Sequence, residues 1–174
     1  LRNLYDAGIY QLDRELAPLF EALEESGRME SSLIVITADH GEEFLEHGDV
    51  LHGRNHFEPV VRVPLVFHGN GIPEGLRVAQ PVSLVDILPT ALSLLGIPGP
   101  MGLGGRDLTP FPTGAEGDAQ NRTLFIEGDH NRDPEGTLAS ARRHDFKLLL
   151  DRSSGRAQLF DLASDPGERN DVIA

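Results

Sequence analysis

The sequence predicts an α/β protein, a partial α/β/α sandwich with a mostly parallel sheet followed by a small C-terminal antiparallel sheet. Three observations carry that expectation. Near the start, apolar residues repeat at helical spacing; a β-branched run after them shows no polar alternation; and four short strand-like runs between turn clusters fill the last third. A length of 174 residues suits one domain, or one and a fragment of another.

Taken in order, Tyr5, Ile9, Leu12, Leu16, Leu19 and Leu23 recur three or four residues apart and lay one apolar stripe along a helix ending near Gly27. That stripe must pack on something. Pro18 lacks a backbone donor and crowds the turn before it, which predicts a kink near Arg14. Leu33 to Thr37 reads as a strand covered on both faces, the kind found in parallel sheets between helices. The polar segment Asp39-His40-Gly41-Glu42-Glu43 follows at the carboxyl end of that strand, where open α/β sheets place their binding crevices. Val63 to Phe67 is a second strand, with Pro64 marking a start or an edge. Val85, Leu88, Leu92 and Leu95 then return to helical spacing behind Asp86 as N-cap, with Gly96 just past the end.

From Gly99 to Gly117 the chain is rich in Gly and Pro, which reads as a connector with a boundary near Pro112. Residues 1–112 then form the first unit and residues 113–174 a smaller antiparallel β unit. Its expected strands are Thr123 to Glu127, Leu138 to Arg142, Phe146 to Leu150 and Gln158 to Leu162, separated by turns such as Asp133-Pro134-Glu135-Gly136 and Ser153-Ser154-Gly155.

Fifteen basic and 28 acidic side chains leave a net charge of −13, spread along the chain, and such a surface repels phosphate backbones and anionic headgroups. Nucleic acid is not an expected partner. No stretch is apolar enough for a membrane span. The absence of cysteine removes disulfides, thiolate nucleophiles and Cys-ligated zinc from consideration and says nothing about compartment.

Five of the seven histidines, His40, His47, His52, His56 and His68, fall within 29 residues, among Asp39, Glu42, Glu43, Glu46, Asp49 and Glu58. Imidazole and carboxylate both donate lone pairs to divalent cations, so the segment is equipped to hold a metal. The rival reading is an exposed polar loop whose histidines cap, solvate or pack, and no H-E-x-x-H spacing argues against it.

The string from Thr37 to Gly48, T-A-D-H-G-E-E-F-L-E-H-G, followed by His52-Gly53 and Arg62-Val63-Pro64-Leu65, resembles the sulfatase family of the alkaline phosphatase superfamily. The likeness continues through Val85-Asp86-Ile87-Leu88-Pro89-Thr90 and Gly105-Arg106-Asp107-Leu108 to Phe146-Lys147-Leu148 and Asp165-Pro166-Gly167-Glu168. It implies that residues 1–112 are the C-terminal part of a sulfatase-like catalytic domain. It also implies that Asp39 and His40 are two ligands of a single divalent metal ion. Calcium leads that expectation, and a histidine in second place also admits manganese, magnesium or zinc. His52 matches the position whose His or Lys binds the ester oxyanion or leaving-group oxygen, a catalytic and substrate-binding role; a surface loop histidine is its alternative. His47 reads as support for the loop, His56 and His68 as structural, Arg62 as a strand anchor through a salt bridge, and Glu42 and Glu43 as solvated carboxylates.

The family's nucleophile is a formylglycine made from Cys or Ser in C/S-x-P-S-R, and no such motif occurs here. The first strand and the paired aspartates that complete the family's metal site are also missing, so the sequence reads as the C-terminal half of a larger hydrolase. The expected partners are a sulfate ester in the complete enzyme, the missing N-terminal half, and a second copy through an exposed sheet edge. Two other functions stand beside the sulfuric ester hydrolase: a phosphoester or phosphonate monoester hydrolase of the same superfamily, and a non-catalytic association module.

Overall fold

The computed structural model describes residues 1–109, 122–127 and 138–173, and these fall into two compact units. Unit one comprises residues 1–37 and 64–74. Helix α1 (Arg2–Glu25) runs unbroken through Pro18. None of its residues is buried: Ile9, Leu12 and Leu19 of the expected stripe are each more than half exposed, whereas Leu16 and Leu23 are partly covered. Strand β1 (Ile34–Thr37) arises where expected, and β4 (Leu65–His68) starts just after Pro64, whose carbonyl accepts the Thr37 hydroxyl at 2.8 Å.

β1 and β4 pair antiparallel, Ile34 opposite His68 and Thr37 opposite Leu65, and every strand pair among the described residues is antiparallel. This departs from the expected parallel sheet. The apolar run fixed strand identity, but direction depends on which strands lie alongside, and here the neighbour is the next long strand in the chain. Nor is β1 covered on both faces: Ile36 is 45% exposed and Val66 on β4 is 49% exposed.

Unit two comprises residues 38–63 and 75–174. A small hairpin joins β2 (Glu43–Phe44) to β3 (Val50–Leu51), and a single turn, α2 (Glu58–Val61), follows. Helix α3 (Ile87–Leu94) is entered through a 3₁₀ turn, Leu84–Asp86. Asp86 sits at the N-cap position, yet its side chain does not cap α3. It closes a box with Ser83 and accepts the Arg106 N–H at 2.8 Å and the Arg122 guanidinium at 2.7 Å, fully buried. Burial decides the difference, because a buried carboxylate is stable only when paired and hydrogen-bonded.

The antiparallel sheet of β5 (Thr123–Glu127), β6 (Leu138–Arg143), β7 (Phe146–Asp151) and β8 (Arg156–Asp161) has the expected strands within two residues at each end. The 133–136 turn and the boundary near Pro112 lie outside the described residues. Its register aligns Arg142, Lys147 and Phe160 in one row, and that row faces inward. Two like charges directly opposite repel. Carboxylates resolve the conflict: Glu58 takes Arg142 at 3.0 Å and Lys147 at 3.0 Å. Glu168 Oε1 lies 2.8 Å from the Lys147 ammonium, an ion pair not aligned as a hydrogen bond, and Oε2 accepts the Glu58 backbone N–H at 2.6 Å.

Candidate functional site

Asp39 and His40 follow β1 directly in sequence. Asp39 Oδ1 accepts the His40 backbone N–H at 3.0 Å, and His40 Nδ1 lies 2.9 Å from the Gly41 carbonyl. A carbonyl can only accept, so the ring proton belongs on Nδ1, and the neutral ring keeps its lone pair on Nε2. That atom stands 3.7 Å from Asp39 Oδ2. With the ring neutral, two electron donors face one another in an arrangement that a cation would stabilise, and the other ring nitrogen is tied to a carbonyl. The pair is accessible, with side chains 88% and 42% exposed. Among the described residues no group of three or more His, Asp or Glu converges as a metal site.

Gly41 explains the third position of D-H-G. Its N–H donates to the Val60 carbonyl at 2.6 Å, and a Cβ there would lie 2.1 Å from the Pro59 carbonyl oxygen. Only glycine lets the two backbones approach this closely.

The hairpin brings in His52. β2 and β3 pair Glu43 with Leu51 and Phe44 with Val50, and the same register one rung outward sets Glu42 opposite His52. The His52 Nδ1 lies 3.2 Å from Glu42 Oε1, and its ring centroid is 3.8 Å from that of His40. The structure brings Asp39, His40 and His52 close together, and Glu42 joins them.

Neither glutamate is a solvated carboxylate. Glu42 is 18% exposed and engaged with His52, while Glu43 is fully buried. Glu43 Oε1 accepts the His47 N–H at 2.7 Å and the Asp49 N–H at 3.3 Å, and Oε2 takes the Asn55 amide. It holds the loop that carries His52. His47 stacks flat on Phe57, centroids 3.6 Å apart, and Phe57 meets Phe160 edge-on. His56 is buried with Nδ1 3.0 Å from the Ser140 hydroxyl. Arg62 is exposed and the expected salt bridge is not found among the described residues, where the neighbouring Glu58 is committed to Arg142 and Lys147.

Sequence reasoning missed the roles of Glu58, Lys147 and Glu168. Two of these stand in blocks already singled out, Phe146-Lys147-Leu148 and Asp165-Pro166-Gly167-Glu168, and a lysine inside an otherwise apolar strand was the available signal.

A model of the sulfatase family matches residues 1–97. Arylsulfatase K of Bos taurus is 32% identical over all of this chain, which spans only 33% of that relative. A phosphonate monoester hydrolase from Silicibacter pomeroyi has 27% identity and a TM-score of 0.75, covering 91% of this chain and 34% of its own. A 2-O GAG sulfatase shares the fold, with a TM-score of 0.78 at 22% identity, covering 93% of this chain and 36% of its own. The chain thus spans about a third of the length of the relatives it matches. With the family match extending over more than half of its residues, from α1 across the Asp39-His40-Gly41 segment, the chain belongs to the sulfatase family of the alkaline phosphatase superfamily.

Proposed function

We propose that this chain is the C-terminal portion of a metal-dependent sulfuric ester hydrolase, and that it supplies part of the catalytic pocket rather than all of it. One observation carries the reading: the D-H-G segment of a sulfatase-family chain presents a carboxylate oxygen and an imidazole nitrogen 3.7 Å apart, with the tilted His52 ring packed against His40 beside them. Sulfatase family members bind a divalent metal ion. Asp39 and His40 suit such an ion, with calcium favoured and manganese, magnesium or zinc admitted by the imidazole. When bound, the ion would polarise an ester oxygen and offset negative charge that grows on it.

His52 is the substrate-binding and catalytic group in this reading. Glu42 holds its Nδ1, His40 covers one ring face, and the other nitrogen is left to meet the ester or leaving-group oxygen. No residue here occurs in a C/S-x-P-S-R motif, so the formylglycine route to ester cleavage is not available within these residues. The remaining ligands and the nucleophile belong to a longer polypeptide, whose strands would also complete a mostly parallel sheet beside β1 and cover α1. On this proposal the first unit of the sequence, residues 1–112, is part of the catalytic domain, and residues 113–174 form the smaller subdomain. Without that cover, the open edge would favour self-association.

Titration calorimetry with calcium, manganese and zinc tests the half-site. Weak binding lost in Asp39→Ala is expected, and submicromolar affinity would contradict two donors. The coding sequence upstream of Leu1 tests the chemistry: C-x-P-S-R supports sulfuric esters, and a plain Ser or Thr nucleophile with further His ligands supports phosphoryl transfer. The phosphonate monoester hydrolase likeness keeps that second reading in place. An intact gene with no upstream half would leave a non-catalytic association module.

A further inference from the structure

Glu42 and His52 occupy the rung just beyond the last paired residues of the β2–β3 hairpin, so their meeting follows from register. The contact is 3.2 Å from Nδ1 to Oε1, and the glutamate side chain is the better covered of the two, 18% against 46% exposed. The backbone on both sides of His52 is in the left-handed region, Leu51 at φ 72° and Gly53 at φ 78°. A bulky residue such as Leu51 rarely adopts that conformation, and strained backbone concentrates where a side chain must be aimed. His40 packs against the same ring and is itself tied through Nδ1, to the Gly41 carbonyl. Both rings therefore commit the same nitrogen within the chain.

We propose that Glu42 is a positioning residue for His52: its carboxylate, which can only accept, fixes the ring proton on Nδ1 and leaves Nε2 as the atom that meets a ligand. Nε2 is then an acceptor in the neutral ring and a donor in the imidazolium. Without Glu42 the ring is free to exchange its two nitrogens, and the atom presented changes. The proposal rests on the reading of His52 as the substrate-binding group, but its physical content is testable without turnover.

Long-range proton–nitrogen NMR of the full chain reports which nitrogen of His52 carries the proton. The wild type should show the Nδ1-protonated form. Glu42→Gln retains an acceptor oxygen and should preserve it, whereas Glu42→Ala should shift the ratio of the two forms by about fivefold, the scale of one net hydrogen bond. Glu42→Lys, with donors only, should favour the opposite form. An Nε2-protonated wild type, or an unchanged ratio in both Glu42→Ala and Glu42→Lys, would overturn the proposal. Zinc ion added to the same samples separates the two claims. Signals of His40 should move equally in wild type and Glu42→Gln, and loss of the zinc response in Glu42→Gln would make Glu42 a ligand instead. Zinc producing no change in any sample, with the Glu42 effect intact, would count against zinc at Asp39 and His40 and leave the positioning role standing.

Discussion

Unit two contains two clusters of charged and titratable side chains, and they differ in how far each satisfies itself. Glu58, Glu168, Arg142 and Lys147 are two acids and two bases, with Lys147 and Glu168 fully buried and each charge within 3.0 Å of an opposite one. Asp39, Glu42, His40 and His52 are two acids and two imidazoles, all at least partly accessible, with Asp39 88% exposed. A closed cluster has nothing to offer a ligand, and its role is to hold structure, since a buried charge without its partner is strongly unfavourable. An open cluster with surplus negative charge suits a cation. The first also positions the second. Glu58 anchors the turn whose Pro59 and Val60 carbonyls crowd Gly41, and Asn55 just before it grips Glu43.

The largest effect is expected in the closed cluster. Lys147→Met leaves Glu58 with Arg142 alone and Glu168 with no ion-pair partner among the described residues, and should destabilise the chain by about 3–5 kcal/mol in urea unfolding. A loss below about 1 kcal/mol would mean that the cluster is looser than its geometry. Gly41→Ala comes next and touches both regions. The added methyl meets the Pro59 carbonyl, so one backbone must move, at a cost of about 1–3 kcal/mol, and the Asp39–His40 pair should lose its cation response along with the stability. Retained cation binding in Gly41→Ala would show that the pair does not depend on that approach.

The sequence disclosed these two regions unequally, for a physical reason. Asp39, His40 and His52 were named from the sequence through the family resemblance, and they are close in space because they are consecutive or on facing rungs of one hairpin; Glu42, read from the sequence as a solvated carboxylate, meets His52 only through the Glu43–Leu51 register. The closed cluster joins residues 58, 142, 147 and 168, which nothing local brings together. Strand alternation pointed the wrong way: Phe146 and Leu148 would be placed inside, yet they are 50% and 36% exposed while Lys147 is buried. The strands of the last third were found almost to the residue because turn clusters delimit them. The direction of β1 against β4 was not, because a short apolar run encodes burial and not the orientation of its neighbour.

Smaller effects separate aiming from folding. Gly53→Ala places a Cβ at φ 78° and should cost about 1 kcal/mol, with His52 losing its ring contact to His40 in the NMR spectrum. Asp39→Asn should leave stability within about 0.5 kcal/mol, since the side chain is exposed, while weakening cation binding by about tenfold or more. If Asp39→Asn unfolds the chain, that carboxylate belongs with the closed cluster after all.

Asp151 shows that exposure is not what distinguishes the open site. It also lies at the surface, yet both of its oxygens are engaged by neighbouring donors: Oδ1 accepts the Ser153 N–H at 2.9 Å and hydroxyl at 2.6 Å, and Oδ2 accepts the Ser154 hydroxyl at 2.7 Å. Those hydroxyls, first Ser153 and then Ser154, lower its pKa from 3.8 to about 2. A carboxylate whose pKa is lower folded than unfolded contributes stability that is complete above the unfolded value and is lost as pH falls through the folded one. Asp151→Asn should therefore flatten the acid limb of stability between about pH 4 and pH 2 and leave cation affinity unchanged. A drop in cation affinity in that variant would mean that any surface carboxylate of this acidic chain takes up the ion. Asp39 differs in that its Oδ2 faces the His40 ring nitrogen instead of a hydroxyl, and on the proposed reading that difference is what would give a cation a place.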